Sequence, residues 1–232
     1  MIGILGGMGT QAGLDFCNKL AMLNRGKIDQ KYPIFILYNK SNIPGRHENL
    51  YRYDIVLKSL IKGCILLQKN KCKFIVIPCN TAHYWYDDLR KKIKIPIISM
   101  PKEVFLHTEN KCKKNSKIGI LATEGTLKTN VYNKFFDKKY ILIHPKKSLQ
   151  INSVNKAIKF VKMGKLKDAE KAIKPAINYL IKMNCVKIIL GCTELPIAIF
   201  AFKSFKKVKL SKTFLDPNLI LATASMKKYK SL

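Results

Sequence analysis

Short, almost unbroken apolar runs recur along this chain, separated by longer stretches in which apolar positions return every three or four residues. The runs near 2–6, 33–38, 73–78, 95–99, 117–122, 140–143 and 186–190 predict β-strands. Between two of them, "HENLYRYDIVLKSLIKGCILLQKN" (47–70) places Leu50, Leu57, Leu60, Ile61, Cys64 and Leu67 on one helical stripe. Residues 148–164 and 166–183 predict two further helices, and Pro175 is expected to kink or restart the second. "LDPNLILATASMKKYK" opens with Asp216 as an expected N-cap and Pro217 at the first helical position. Strands alternating with helices in this way predict βα units and parallel sheet, an α/β fold.

The pattern is also written twice. "IGILGGMGT" begins at residue 2 and "IGILATEGT" at 118, an offset of 116. "KFIVIPCNTA" begins at 73 and "VKIILGCTEL" at 186, an offset of 113, and the weaker pair "IPIIS" (95–99) and "VKLS" (208–211) shares that spacing. Three segments in one order at nearly one spacing imply an internal duplication. Two pseudo-symmetric domains follow, each a parallel sheet flanked by helices. Residues 1–100 with 213–232 are expected to form one and 101–212 the other, because the last helix is expected to pack back on the first half.

Composition changes this picture little. The chain of 232 residues carries 44 Lys+Arg against 14 Asp+Glu, a net charge of +30, with lysine runs such as "KCKKNSK" (111–117) and "FKKVK" (205–209). Arginine, the residue of bidentate base contacts, occurs only at four positions, and no basic–aromatic recognition motif is present. The charge is therefore read as solvated lysine on helix faces, with no specific nucleic-acid partner. No stretch approaches the roughly 20 apolar residues of a membrane span, so no membrane partner is expected either. Seven cysteines without a CxxC pair, and an N-terminus that starts directly on a strand pattern, lead to an expectation of a reducing, cytoplasmic setting.

Candidate chemistry lies in the second of these repeated segment pairs. Cys79 in "IVIPCNTAHY" and Cys192 in "IILGCTELPI" each follow an apolar run and open a polar turn, at the sheet edge where open α/β folds bind ligands. Neither has a second ligand at metal spacing, so no metal site is expected, and a redox disulfide would leave the Asn and Thr neighbours unexplained. Thiols on two sides of one carbon could instead exchange its proton, since a cysteine titrates near working pH. Helix starts and nearby cations are expected to lower the pKa of such thiols. Asn80, Thr81, Thr193 and the amides after each cysteine would then bind a carboxylate. The remaining cysteines, Cys17, Cys64, Cys72, Cys112 and Cys185, are read as small buried hydrophobes.

Over nearly its full length the chain resembles the aspartate/glutamate racemase superfamily, in its aspartate racemase branch, through "GILGGMG", "PCNTAH", "LAT-GT" and "GCTEL". The resemblance implies a cofactor-independent enzyme, commonly a homodimer, with an amino-acid substrate in a cleft between two α/β domains. It implies that Cys79 and Cys192 are the catalytic thiols, each the base for one enantiomer and the acid for the other. It further implies that Asn80, Thr81 and Thr193 bind the substrate carboxylate and that Met8, Thr123 and Thr126 line the cleft. Arg46 in "NIPGRHE" resembles the arginine that holds the side-chain carboxylate of aspartate, Lys162 a second carboxylate-binding cation, and Glu194 a residue beside the second thiol. His83 reads either as orienting Cys79 or as a residue that caps or packs at a helix start.

Two positions depart from the branch. Gly45 stands where an acid is usual and Thr10 where a proline is usual, and the first would loosen the hold on the substrate amino group or on Arg46. A glutamate or broad-specificity amino-acid racemase therefore stays open beside the aspartate enzyme. Outside that class stand a nucleotide-binding enzyme and an inactive basic binding protein. "GGMGTQAG" lacks the dinucleotide spacing, and "IFILYNKS" ends in Asn39 and Lys40 rather than a ribose-binding acid, which counts against the former.

Overall fold

The computed structural model describes residues 1–23, 28–200 and 213–232. The lysine run at 205–209 and the repeat segment at 208–211 lie outside the described residues. The chain divides into two compact units, Met1–Val104 with Asn218–Leu232, and Phe105–Pro217.

The first unit holds β1 (Ile2–Gly6), α1 (Thr10–Leu23), β2 (Phe35–Asn39), α2 (Tyr53–Lys69), β3 (Phe74–Val76), α3 (Tyr86–Lys92) and β4 (Ile97–Ile98). Its strands pair in parallel in the order β2-β1-β3-β4. Both faces of this sheet are covered, and the strand period of two divides the work. Ile2, Ile4, Phe74 and Val76 pack with Phe16 and Leu20 of α1 and with Leu221, Ala222 and Met226 of the C-terminal helix. Leu5 and Ile75 pack on the other face with Val56, Leu60, Cys64 and Leu67 of α2. That helix lies so close that a Cβ on Gly63 would stand 2.6 Å from Leu5 Cδ1. It starts at Tyr53 rather than within 47–52, because Arg52 takes a non-helical conformation and Asn49 N–H and Nδ2 both bond the Gly45 carbonyl in a separate turn.

In the next stretch α4 (Met100–Glu109) carries the boundary between the units. The second unit then contains β5 (Lys117–Ala122), α5 (Glu124–Lys128), α6 (Asn133–Phe136), β6 (Ile141–Ile143), α7 (Lys147–Leu149), α8 (Lys156–Lys162), α9 (Leu166–Lys182), β7 (Lys187–Gly191), α10 (Leu195–Phe200) and β8 (Phe214–Leu215). α11 (Pro217–Lys230) follows and joins the first unit apart from its first residue. The parallel order β6-β5-β7-β8 repeats that of the first sheet, so β8 stands where β4 stands. The described counterpart of β4 is thus Phe214–Leu215, later in the chain than the segment at 208–211 that spacing suggested.

Two expectations for the second unit need correction. The stretch 148–164 is not one α-helix: α7 and α8 are joined by a π-helical segment, Gln150–Asn155. Pro175 does not restart its helix either, since α9 runs continuously from Leu166 to Lys182 with Pro175 inside it. Proline removes a donor and its ring crowds the carbonyl four residues back, which opens the backbone ladder. The fully regular helix would bond Ala176 N–H to the Ala172 carbonyl. Here the Ser153 hydroxyl from the π segment stands between them, donating to Ala172 O and accepting from Ala176 N–H at 3.3 Å. Ser153 is 1% exposed, so its loss leaves buried groups unpaired. Ser153→Ala is expected to destabilise the protein by about 1–3 kcal/mol in urea unfolding, and an unchanged midpoint would remove this role.

Candidate active site

Each sheet changes direction beside its first strand. From β1 the chain moves outward to β2 and then returns to β3 on the other side, and β5, β6 and β7 repeat the move. In such an order the loops after β1 and β3 leave the sheet in opposite directions, and a crevice opens between them at the carboxyl ends. Met8 follows β1 and Cys79 follows β3; Thr123 follows β5 and Cys192 follows β7. Met8, Cys79, Thr123 and Cys192, with the residues next to each cysteine, therefore sit at the switch point of their own sheets. Of the residues singled out in the sequence, the first unit holds Met8, Arg46, Cys79, Asn80 and Thr81, and the second Thr123, Thr126, Lys162, Cys192, Thr193 and Glu194. Arg46 follows β2 and Lys162 ends α8, outside the turns after the central strands.

In the first unit, Cys79 is 6% exposed and its backbone is held at both ends. Its N–H bonds the Ile77 carbonyl at 2.8 Å, a three-residue γ-turn. Its own carbonyl lies 2.9 Å from Nδ1 of His83. Asn80 and Thr81, at 3% and 7% exposed, lead into a 3₁₀ turn, Thr81–Trp85, rather than directly into an α-helix. The helix start read after Cys79 is thus a 3₁₀ turn, and the first α-helical residue is Tyr86. Arg46 donates through Nη2 to the Met8 carbonyl at 2.7 Å and through Nη1, more weakly, to Pro44 O at 3.5 Å. Its guanidinium is thereby aimed back at the turn after β1. The space over Gly45 is taken by a carboxylate from the same loop: a Cβ there would meet Glu48 Oε2 at 2.1 Å. The acid absent at position 45 has a neighbour that brings an acid to that place, and only the folded loop shows it.

In the second unit Cys192 is 6% exposed and donates its S–H to Glu194 Oε2 at 3.0 Å, with Thr193 Oγ1 3.4 Å from the same oxygen. Burial, followed by the Glu194 carboxylate, holds the Cys192 thiol well above its ordinary range, while the Glu194 backbone N–H and then the Lys162 cation pull it partly back down. The expectation of a lowered pKa is therefore overturned for this cysteine: burial and an acceptor carboxylate favour the S–H form and outweigh the amide and cation beside it. Thr123 is the N-cap of α5, its hydroxyl accepting from Thr126 N–H at 3.2 Å and lying 3.0 Å from the Thr126 hydroxyl. Lys162 closes α8 on the exposed surface.

Sequence reasoning missed Gln150 at this edge. It is 6% exposed and its amide Nε2 donates to the Ala122 carbonyl at 2.9 Å and to Asn155 Oδ1 at 2.8 Å, while Asn155 Nδ2 donates to Glu124 Oε1. Ala122 pairs with Gly191, the residue before Cys192. A polar residue in register with the buried Val154 and Ile158 was the available signal.

Glu194→Gln is expected to let Cys192 ionise at lower pH than in the unaltered protein, because it removes the carboxylate that favours the protonated thiol. Site-resolved alkylation of Cys192 against pH measures this, and an unshifted or rising midpoint would contradict it. Among the described residues, no three His, Cys, Asp or Glu side chains gather as a metal-binding group, and no helix is long and apolar enough to cross a membrane.

A model of the Asp/Glu/Hydantoin racemase family matches residues 5–224. The broad-specificity amino-acid racemase RacX of Bacillus subtilis is 27% identical over 202 residues, which cover 84% of this chain and 86% of that protein. A glutamate racemase of Sulfurihydrogenibium sp. is 28% identical over 171 residues, 72% of this chain and 63% of its own length. Among solved structures, the Picrophilus torridus aspartate racemase aligns with a TM-score of 0.84 at 26% identity, covering 99% of this chain and 94% of that one.

Proposed function

Since the chain belongs to the Asp/Glu/Hydantoin racemase family, we propose that it interconverts L- and D-aspartate by moving the α-proton between Cys79 and Cys192. The observation that carries this reading is the placement of one cysteine at the switch point of each of two like sheets. One thiolate takes the α-proton: the Cα–H bond breaks, an S–H bond forms, and the electron pair stays on the substrate. The opposite thiol then delivers its proton to the other face, so that Cα–H forms as S–H breaks. The Cys192 proton, held on sulfur by burial and Glu194, suits that residue to start as the acid. Cys79 then starts as the base, and the roles exchange for the other enantiomer.

A positioned acid–base pair contributes about 10²–10⁴-fold, so the carbanion also needs electrostatic support. Asn80, Thr81 and Thr193, with the amides of their turns, supply donors for the α-carboxylate. Arg46 takes the side-chain carboxylate, with Lys162 as a second cation and Met8, Thr123 and Thr126 shaping the walls. No added cofactor enters these steps. A broad-specificity racemase is the second reading, favoured by the likeness to RacX over 84% of the chain.

Incubating a panel of single-enantiomer amino acids with the protein in heavy water tests the reading, with circular dichroism following optical activity and NMR following deuterium at Cα. Loss of signal with deuterium uptake is expected for aspartate. Uptake with glutamate alone would move the substrate, uptake with many would favour the second reading, and none with any amino acid would overturn the racemase proposal.

A further inference from the structure

His83 is 7% exposed and has a polar partner on each ring nitrogen. Nδ1 faces the Cys79 carbonyl at 2.9 Å, and Nε2 accepts the Met100 backbone N–H at 3.0 Å. A carbonyl only accepts and an amide N–H only donates. The two contacts together therefore dictate the neutral ring with its proton on Nδ1. Burial agrees, pushing the ring's pKa down to about 4. Tyr86 lies alongside, with ring centroids 6.1 Å apart. A ring spent on both nitrogens is not free to carry protons for the substrate. It is instead a strut between the thiol's own peptide group and the first residue of α4.

We propose that His83 is a positioning residue for Cys79, holding that cysteine's carbonyl through Nδ1–H and anchoring it to the start of α4 through Nε2. The γ-turn fixes the amide side of Cys79 and His83 fixes the carbonyl side, so the thiol is carried on backbone clamped at both ends. Proton transfer is sensitive to such placement, since a shift of about 1 Å in a reacting group costs on the order of 10²-fold. The role in turnover rests on the two-thiol reading above, whereas the clamp itself does not.

Three substitutions in the full chain separate the contacts. His83→Asn keeps a donor within reach of the Cys79 carbonyl, His83→Gln keeps a polar group near Met100, and His83→Phe keeps ring shape alone. The expected result for Phe is a loss of about 10²-fold in kcat at nearly unchanged KM. Asn should recover most of the loss and Gln little of it. In parallel, peptide-resolved iodoacetamide labelling should show an altered Cys79 rate in the Phe variant, restored by Asn, with Cys192 unaffected. Nitrogen-15 NMR of the unaltered protein should show Nδ1 protonated and Nε2 bare. Equal kcat in the Asn and Gln variants, unchanged Cys79 labelling in a folded Phe variant, or the opposite tautomer would each overturn the proposal. A protein that racemises nothing but shows the labelling pattern would keep the clamp and remove the racemase reading.

Discussion

Alanine at Cys79 or at Cys192 is expected to lower racemisation of aspartate by about 10⁴-fold, the upper end of what one positioned acid–base group contributes. The two losses should not be alike in kind. With Cys192 replaced, Cys79 still removes the α-proton from one enantiomer but nothing delivers a proton to the other face. That enantiomer should exchange its α-proton with solvent while keeping its configuration. With Cys79 replaced, the other enantiomer should do so, more slowly, because the S–H form of Cys192 is favoured by burial and Glu194. Proton NMR in heavy water on each pure enantiomer reads both outcomes. If either variant still racemises near the original rate, that thiol has no part in the chemistry.

The second large effect concerns the turn after β1. Gly7 has φ +91, where L side chains are strained, and a Cβ there would stand 2.2 Å from the Lys40 carbonyl carbon and 2.6 Å from Ser41 N. These are backbone atoms that cannot rotate away. Gly7→Ala is therefore expected to cost about 4 kcal/mol or more, a large part of an ordinary domain's margin. Gly13, six residues on within α1, is the control. A Cβ there meets Leu37 Cδ1 at 3.5 Å and Gly6 Cα at 3.6 Å, ordinary contact. Gly13→Ala should be neutral or stabilise by about 0.5–1 kcal/mol through helix propensity. Urea unfolding of the two variants measures the contrast, and equal effects would show that the turn geometry is misread. The glycine pattern at 6–13 thus has separate causes, and the close approach of β1 to the loop after β2 is the one that demands glycine.

Much of the architecture was legible because it is local and repeated. Apolar runs gave seven strands near their observed places, and the paired cysteine segments marked the two edges. The unread parts depend on atoms distant in sequence. β8 is only Phe214–Leu215, too short for a pattern to announce it. Nothing near Pro175 shows that Ser153 will bridge the open ladder, so a proline expected to kink or restart its helix lies inside a continuous one. Cys79 and Cys192 look alike in sequence, yet Cys192 is buried beside a carboxylate two residues away, and burial first, then that carboxylate, raises its pKa rather than lowering it. Gly45 reads as a missing acid until the fold brings Glu48 over it.

Everything proposed for the chemistry requires a different sulfur on each face of one asymmetric carbon. The most direct measurement takes fully protiated L-aspartate in heavy water, stops at a few per cent conversion, and determines α-deuterium in both the D-aspartate formed and the L-aspartate recovered. Two thiols predict product deuterated at Cα beside recovered substrate that is still protiated. Protium carried into the D-product, or deuterium entering recovered L-aspartate as fast as D-aspartate forms, would mean that one group serves both faces.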